Sequence, residues 1–438
     1  MIDDRRDLLI RAALAPRPNL AAPTELAEAI QAAVRATPQH RSRLGWIVLA
    51  PSQLRLVLVL GALLIALLLA IAVGSRTPTP PTGILGYHGP PERTGVMPGP
   101  GPGGSPIAVW SKSVGASVDV LGMPLVSLGL VYVEDGGGGV TAFDEDSGTL
   151  NWTVRPDGAG SGTIVIVGRT LFHGSSHGQV SALDAVSGAR LWSVDVGGGG
   201  TLSVATDGTV VVVASTDGNV YGLDPASGAT RWMLDAGGLV DRGAAISEGI
   251  GYVGAASGRV TAFRLTDGGV VWVRELGFGE IVTPAVDRGL VFVAHGFGDG
   301  SIPAILYALD IRSGQDRWKW PEPTVSRLFV GAVEGSTVYA LNEDARAFAI
   351  DVLTGAGRPF AQAGGKYGSL AAIVGPTIYL TSADGQVTAI DRASGVARWT
   401  IAVKGVPSTP AVIDGRVFVA TDLGKVVAIG DPGASTRP

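Results

Sequence analysis

The feature that most constrains this chain is a stretch that it repeats. VYGLDPASGATRW at 220–232 returns as VTAFDEDSGTLNW (140–152), VSALDAVSGARLW (180–192), VTAFRLTDGGVVW (260–272), LYALDIRSGQDRW (306–318) and VTAIDRASGVARW (387–399). AFAIDVLTGAGRPF (347–360) is a degenerate copy, and VVAIGDPG (426–433) a partial one. With the Asp as marker, the column reads Asp144, Asp184, Asp224, Arg264, Asp310, Asp351, Asp391 and Gly430, at intervals of 40, 40, 40, 46, 41, 40 and 39 residues. A period of this length means stacked supersecondary units, each of which buries its apolar face on its neighbours.

Inside each unit the pattern is that of short strands. A small residue sits two places before the marker and a large apolar one directly before it, as on a pleated strand with one crowded face. Four places after the marker come Gly148, Gly188, Gly228, Gly268, Gly314, Gly355 and Gly395, mostly preceded by Ser or Thr, which is turn chemistry. Twelve places before it an aromatic marks another strand: Tyr132, Phe172, Tyr252, Tyr339, Tyr379 and Phe418. Val212 is the exception, and Phe292 is displaced by six extra residues in its unit. TPAVDRG (283–289) and TPAVIDG (409–415) mark one strand more. Four short strands in about forty residues make a propeller blade.

The Trp column carries an offset. It runs Trp110, Trp152, Trp192, Trp232, Trp272, Trp318, Pro359 and Trp399, so one Trp strand precedes the first full unit and none follows the last. The strand IAVWSKSV (107–114) is therefore expected to complete the blade begun by residues 409–429, hiding the edges an open array would expose. The A-x-D-x-x-[ST]-G-x-x-x-W core resembles the repeat of pyrroloquinoline-quinone (PQQ)-type eight-bladed β-propellers. That family includes quinoprotein alcohol dehydrogenases and the propeller lipoprotein of the outer-membrane assembly machinery. The resemblance covers residues 107–430 and implies an all-β ring of eight four-stranded blades, in which the Trp packs between blades near a Gly-containing turn. The Trp, Gly and Asp columns are read as scaffold.

Four segments are expected. Residues 1–55 carry eight Arg and five acids, with short helices over Asp4–Leu14 and Thr24–Thr37. Residues 56–73, LVLVLGALLIALLLAIAV, are eighteen apolar residues without a charge, enough for one transmembrane helix. A cleaved signal is the competing reading, but 55 residues precede the segment. Arg35, Arg41, Arg43 and Arg55 lie before it and only Arg76 and Arg93 in the corresponding stretch after it, which places the N-terminus in the cytoplasm and the ring outside the cell membrane. Residues 74–106 are rich in Pro and Gly and read as a semi-extended spacer. Residues 107–438 form the propeller, with a net charge of −9 that argues against nucleic acid as a partner.

The chain contains no Cys. That excludes disulfides, thiolate zinc sites and a thiol nucleophile. The resemblance implies a disulfide of adjacent Cys over a quinone, with a Ca²⁺ beside it; neither can be assigned, so no cofactor and no metal are expected, and catalysis is not. His173 and His177 fall on a strand and a turn and do not pair as metal ligands. The better candidates depart from the blade pattern: the long turn from His295 through Phe297 to Ile302, and RWKWPEPTVSRL (317–328), where Trp320 is followed by Pro321 and Pro323. Aromatics beside Pro suit contact with another protein chain. The reading reached is a membrane-anchored, extracytoplasmic interaction scaffold of the cell envelope. Alternatives are a transmembrane sensor, whose layout resembles membrane-spanning anti-sigma factors without their Cys motif, and a PQQ-dependent dehydrogenase.

Overall fold

The computed structural model describes residues 83–433, apart from residue 85 and the stretches 116–121, 157–161, 198–201, 241, 278, 297–302, 323–326 and 363–370. The helical tail, the apolar span over 56–73 and the first part of the spacer lie outside the described residues. No helix among the described residues is long and apolar enough to cross a membrane.

Eight antiparallel sheets follow one another along the chain. Blade 3 shows the plan: Leu202–Thr206, Val211–Ser215, Asn219–Leu223 and Thr230–Asp235 pair in sequence order. Its first strand is buried throughout, while its fourth alternates exposed and buried positions, so the first strands face the ring axis and the fourth form the rim. Blade 8 is composite. Ala411–Ile413, Arg416–Thr421 and Lys425–Gly430 are completed by Ile107–Ser113, with Ile107 opposite Gly430 and Trp110 opposite Ala428. The ring is closed by strand pairing between the two ends of the repeat region, as the Trp offset predicts.

The repeated spacing of the motif has a direct geometric meaning. Each Trp lies opposite the small residue of the third strand, as Trp192 does to Ala182 and Trp272 to Ala262, which leaves room for the indole to lie flat. Except in blade 3, where Val212 stands in that place, its ring meets the aromatic of the second strand, with centroids 5.9 Å apart for Tyr132 and Trp152. Its Nε1–H donates to the carbonyl one place after the marker in the next blade: Trp110 to Glu145, Trp152 to Ala185, Trp192 to Pro225, Trp232 to Leu265, Trp272 to Ile311 and Trp318 to Val352, at 2.7–3.1 Å. The same six rings cover the turn Gly of the next blade, so each of these Trp staples two blades.

The Asp column is turn chemistry. Oδ1 of Asp224 accepts from the backbone N–H and hydroxyl of Ser227 at 2.9 Å each, and Gly228 follows at φ +75°. The pattern recurs at Asp144, Asp184, Asp310, Asp351 and Asp391. Arg231 holds the other oxygen of Asp224 at 2.5 Å, and Arg317 and Arg398 do the same for Asp310 and Asp391. Those guanidinium bonds, with the Ser donors, hold the carboxyls of Asp224 and Asp310 down to about 2.

At the junction of blades 6 and 7 the Trp itself is missing. Pro359 stands where blade 6 should carry Trp, and Arg392 of blade 7 takes over: it pairs with Glu334, donates to the Gly375 carbonyl at 2.6 Å and lies 5.5 Å from the Tyr339 ring centroid.

Candidate functional site

A ring of eight sheets leaves the outward edges of its first strands along the axis, with backbone groups that need partners. The sequence reading gave residues 74–106 no structural role beyond reach. The structure corrects this: from residue 83 the segment belongs to the same compact unit as the ring and runs inside it. Gly83–Ile84 pair with Ser127 and Val126 of blade 1. The carbonyls of Pro91, Glu92, Thr94 and Gly95 then accept from Ile246, Val286, Val333 and Ile373, at 2.7–2.9 Å. Met97 donates to Ile373 at 2.8 Å and Gly99 to Val412 at 3.2 Å. Ile246, Val286, Ile373 and Val412 are the middle residues of three-residue first strands in blades 4, 5, 7 and 8, and Val333 is the last but one of Leu328–Glu334 in blade 6. A segment that touches six first strands of an eight-bladed ring lies on its axis, and here it fills the channel.

The glycines that read as flexibility serve close approach. A Cβ on Gly95 would come within 2.9 Å of Ala332 and of the Ala371 carbonyl. Two basic side chains are buried with the segment. His88 is 2% exposed, with Nδ1 2.9 Å from the Arg93 carbonyl and Nε2 2.6 and 3.1 Å from those of Gly331 and Ala371. Arg93 is 4% exposed, donates to the Arg242 carbonyl at 2.9 Å and stacks on Tyr87. Burial lowers His88 to about 4 and Arg93 to about 10. Sequence reasoning missed both; the signal was YHGPPERTGVM (87–97), too varied in chemistry for a low-complexity spacer.

Where the segment passes blades 4 to 6, a recess of about 850 Å³ opens between it and the turns. Glu92, Glu248, Asp287, Arg312 and Leu353 line it over a floor that includes Ile311. Burial raises the Asp287 carboxyl, and Leu353 is 81% exposed at the rim.

The contact residues expected from sequence are placed differently. Trp320 lies in the strand Asp316–Glu322, half-buried with its ring 5.0 Å from Phe348, so it covers the edge of a blade. Pro321 pairs with Ile305 in the same sheet and is exposed. His295 is buried within Leu290–Gly296, edge-on to Tyr307. Phe297 and Pro323 lie outside the described residues. His173 lies on the strand Thr170–Gly174, 3.3 Å from Glu134. Among the described residues no group of three or more His, Asp or Glu is placed to hold a metal ion.

The family model described as outer membrane protein assembly factor BamB matches residues 107–185, 176–275, 216–359 and 361–433, most of the chain. The chain belongs to this family. No curated protein sequence matches it. Among solved structures, BamB from Moraxella catarrhalis is similar at a TM-score of 0.59 and 20% identity, covering 74% of this chain and 100% of its own. The computationally designed Ika8 protein gives 0.64 and 17%, over 74% of this chain and 99% of its own. The quinohemoprotein alcohol dehydrogenase of Comamonas testosteroni gives 0.63 and 14%, over 82% of each chain. These likenesses are of fold. A quinone needs an enclosed chamber, whereas the axis of this ring is filled by the chain's own residues 86–101 and there is no Cys to form a covering disulfide.

Proposed function

We propose that this protein works by binding other proteins, as an envelope scaffold whose ring is held outside the cell membrane by residues 56–73. The observation that carries the reading is the filled axis in a ring of the BamB family: the blades supply recognition surfaces on their turns, and the interior is committed to the chain's own segment. The recess beside Leu353 and Arg312 is the surface best suited to contact, since an exposed apolar side chain among charges offers both burial and orientation. No catalytic step is assigned.

The test is photo-crosslinking in intact cells from a reactive residue at 353, with position 168, an open turn Gly of blade 2, as control. Discrete protein adducts from 353 and none from 168 support the scaffold; adducts from neither position contradict it. Protease added to spheroplasts should release the ring and leave residues 1–55 protected. Protection of the ring instead would reverse the orientation.

A further inference from the structure

We propose that residues 86–101 form a proton-operated strap, seated in the channel while His88 is neutral and loosened when its imidazole takes a second proton. The argument begins with what surrounds that ring. Both nitrogens face backbone carbonyl oxygens, three in all, where blades 6 and 7 meet the axis. A neutral imidazole has one N–H, so one nitrogen turns a lone pair toward an acceptor. The imidazolium would satisfy both sides, but it would be a second charge beside Arg93 in a place closed to water. Arg93 has no carboxylate partner among the described residues to offset either.

Burial wins over the carbonyls and brings the His88 pKa to about 4, against 6.5 for a free side chain. The sign follows: a pKa lowered on docking means that docking is fully favoured above the free value and weakened as pH falls from 6.5 toward 4. Relative to pH 7.5, the docking equilibrium falls about 30-fold at pH 5 and about 300-fold at full protonation. Arg93 is the charged group whose field reaches His88, and Tyr87 is its ring neighbour, centroids 6.2 Å apart. The first strands Leu328–Glu334 and Ala372–Val374 bring one carboxylate, Glu334, which Arg392 holds. Glu92 lines the recess. Apart from the Arg93 guanidinium on the Arg242 carbonyl, which stays charged across this pH range, the strap's remaining bonds to blades 4 to 8 are between uncharged backbone groups, so His88 is where a proton acts. The blades keep their Trp staples and closing strand when the strap leaves, which makes this a local transition.

Hydrogen exchange of the full chain in mild detergent, corrected for the intrinsic pH dependence, tests the device. Protection at the Met97 and Gly99 amides, which donate to blades 7 and 8, should fall about 30-fold from pH 7.5 to 5, while the ladder amides of Val211–Ser215 hold. In His88→Gln, which keeps a donor and cannot titrate, the protection should not change with pH. A flat profile in the native chain, or an equal fall in the variant, overturns the proposal. Should His88→Gln be unseated at every pH, NMR titration of the His88 ring decides: a midpoint near 4 supports the strap, and one at or above 6.5 refutes it.

Discussion

Adding one methyl group to a turn glycine measures the inter-blade staple directly. Gly228 sits at φ +75°, and a Cβ there would lie 2.7 Å from Cε3 of Trp192 and 2.9 Å from Cγ1 of Val194. Gly168 sits at φ +58° with nothing within 4 Å of the same position. Gly168→Ala therefore meets only the backbone cost of a left-handed L-residue, about 1–2 kcal/mol. Gly228→Ala meets that cost and adds overpacking against a held indole, about 1–3 kcal/mol more. At roughly 2.1 cal/mol/K per residue over roughly 330 residues, each kcal/mol moves the thermal midpoint by about 1.4 °C. Calorimetry or far-UV circular dichroism should show a drop of about 1.5–3 °C for Gly168→Ala and about 3–7 °C for Gly228→Ala. If the two midpoints agree within error, the Trp does not hold the turn, and the spacing of Trp and Gly needs another explanation.

Chains beginning at residues 83, 107 and 116 should fall in stability in that order, because the first cut removes the strap and the second the closing strand with Trp110. Equal midpoints for the last two would refute strand closure. Arg392→Met should cost about 1–3 kcal/mol, since it unpairs Glu334 at the junction without a Trp, whereas Arg169→Met, which breaks a solvent-screened pair with Asp184, should leave the midpoint almost unchanged; a denaturant series ranks them. Acid should destabilise the ring between about pH 4 and 2. The Asp224 and Asp310 carboxyls are depressed from 3.8 to about 2, so their contribution is present above the free value and lost as pH falls through the folded one. Asp224→Asn with Asp310→Asn should flatten that limb of the pH profile, which pH-dependent midpoints would show.

The ring was legible because its contacts are periodic. A Trp that must meet the Gly of the next blade writes the same interval into the sequence each time, and the unmatched Trp110 gave the closure. The channel segment left no such trace. It binds through backbone groups, and the residues that let a backbone approach closely, Gly95 and Gly99 among them, are also those of a loose spacer. Trp320 misled for a related reason: an aromatic followed by Pro reads as an exposed loop, yet Pro321 continues the strand at a rim position and Phe348 receives the indole. His88 and Arg93 became visible as a site only when the fold brought carbonyls from distant blades around them.

The strap also imposes an order on how the molecule is made. Residues 86–101 leave the ribosome before any blade exists, and the first strands that hold them belong to blades 4 to 8, made last. Ile107 likewise waits for Gly430. The strap gains its partners one blade at a time, Pro91 with Ile246 first and Gly99 with Val412 last, so the late blades assemble around it. Folding is thus committed by its final step, when blade 8 shuts on a segment already in position. A chain stalled within blade 7 would leave both the strap and the strand with Trp110 without their last partners.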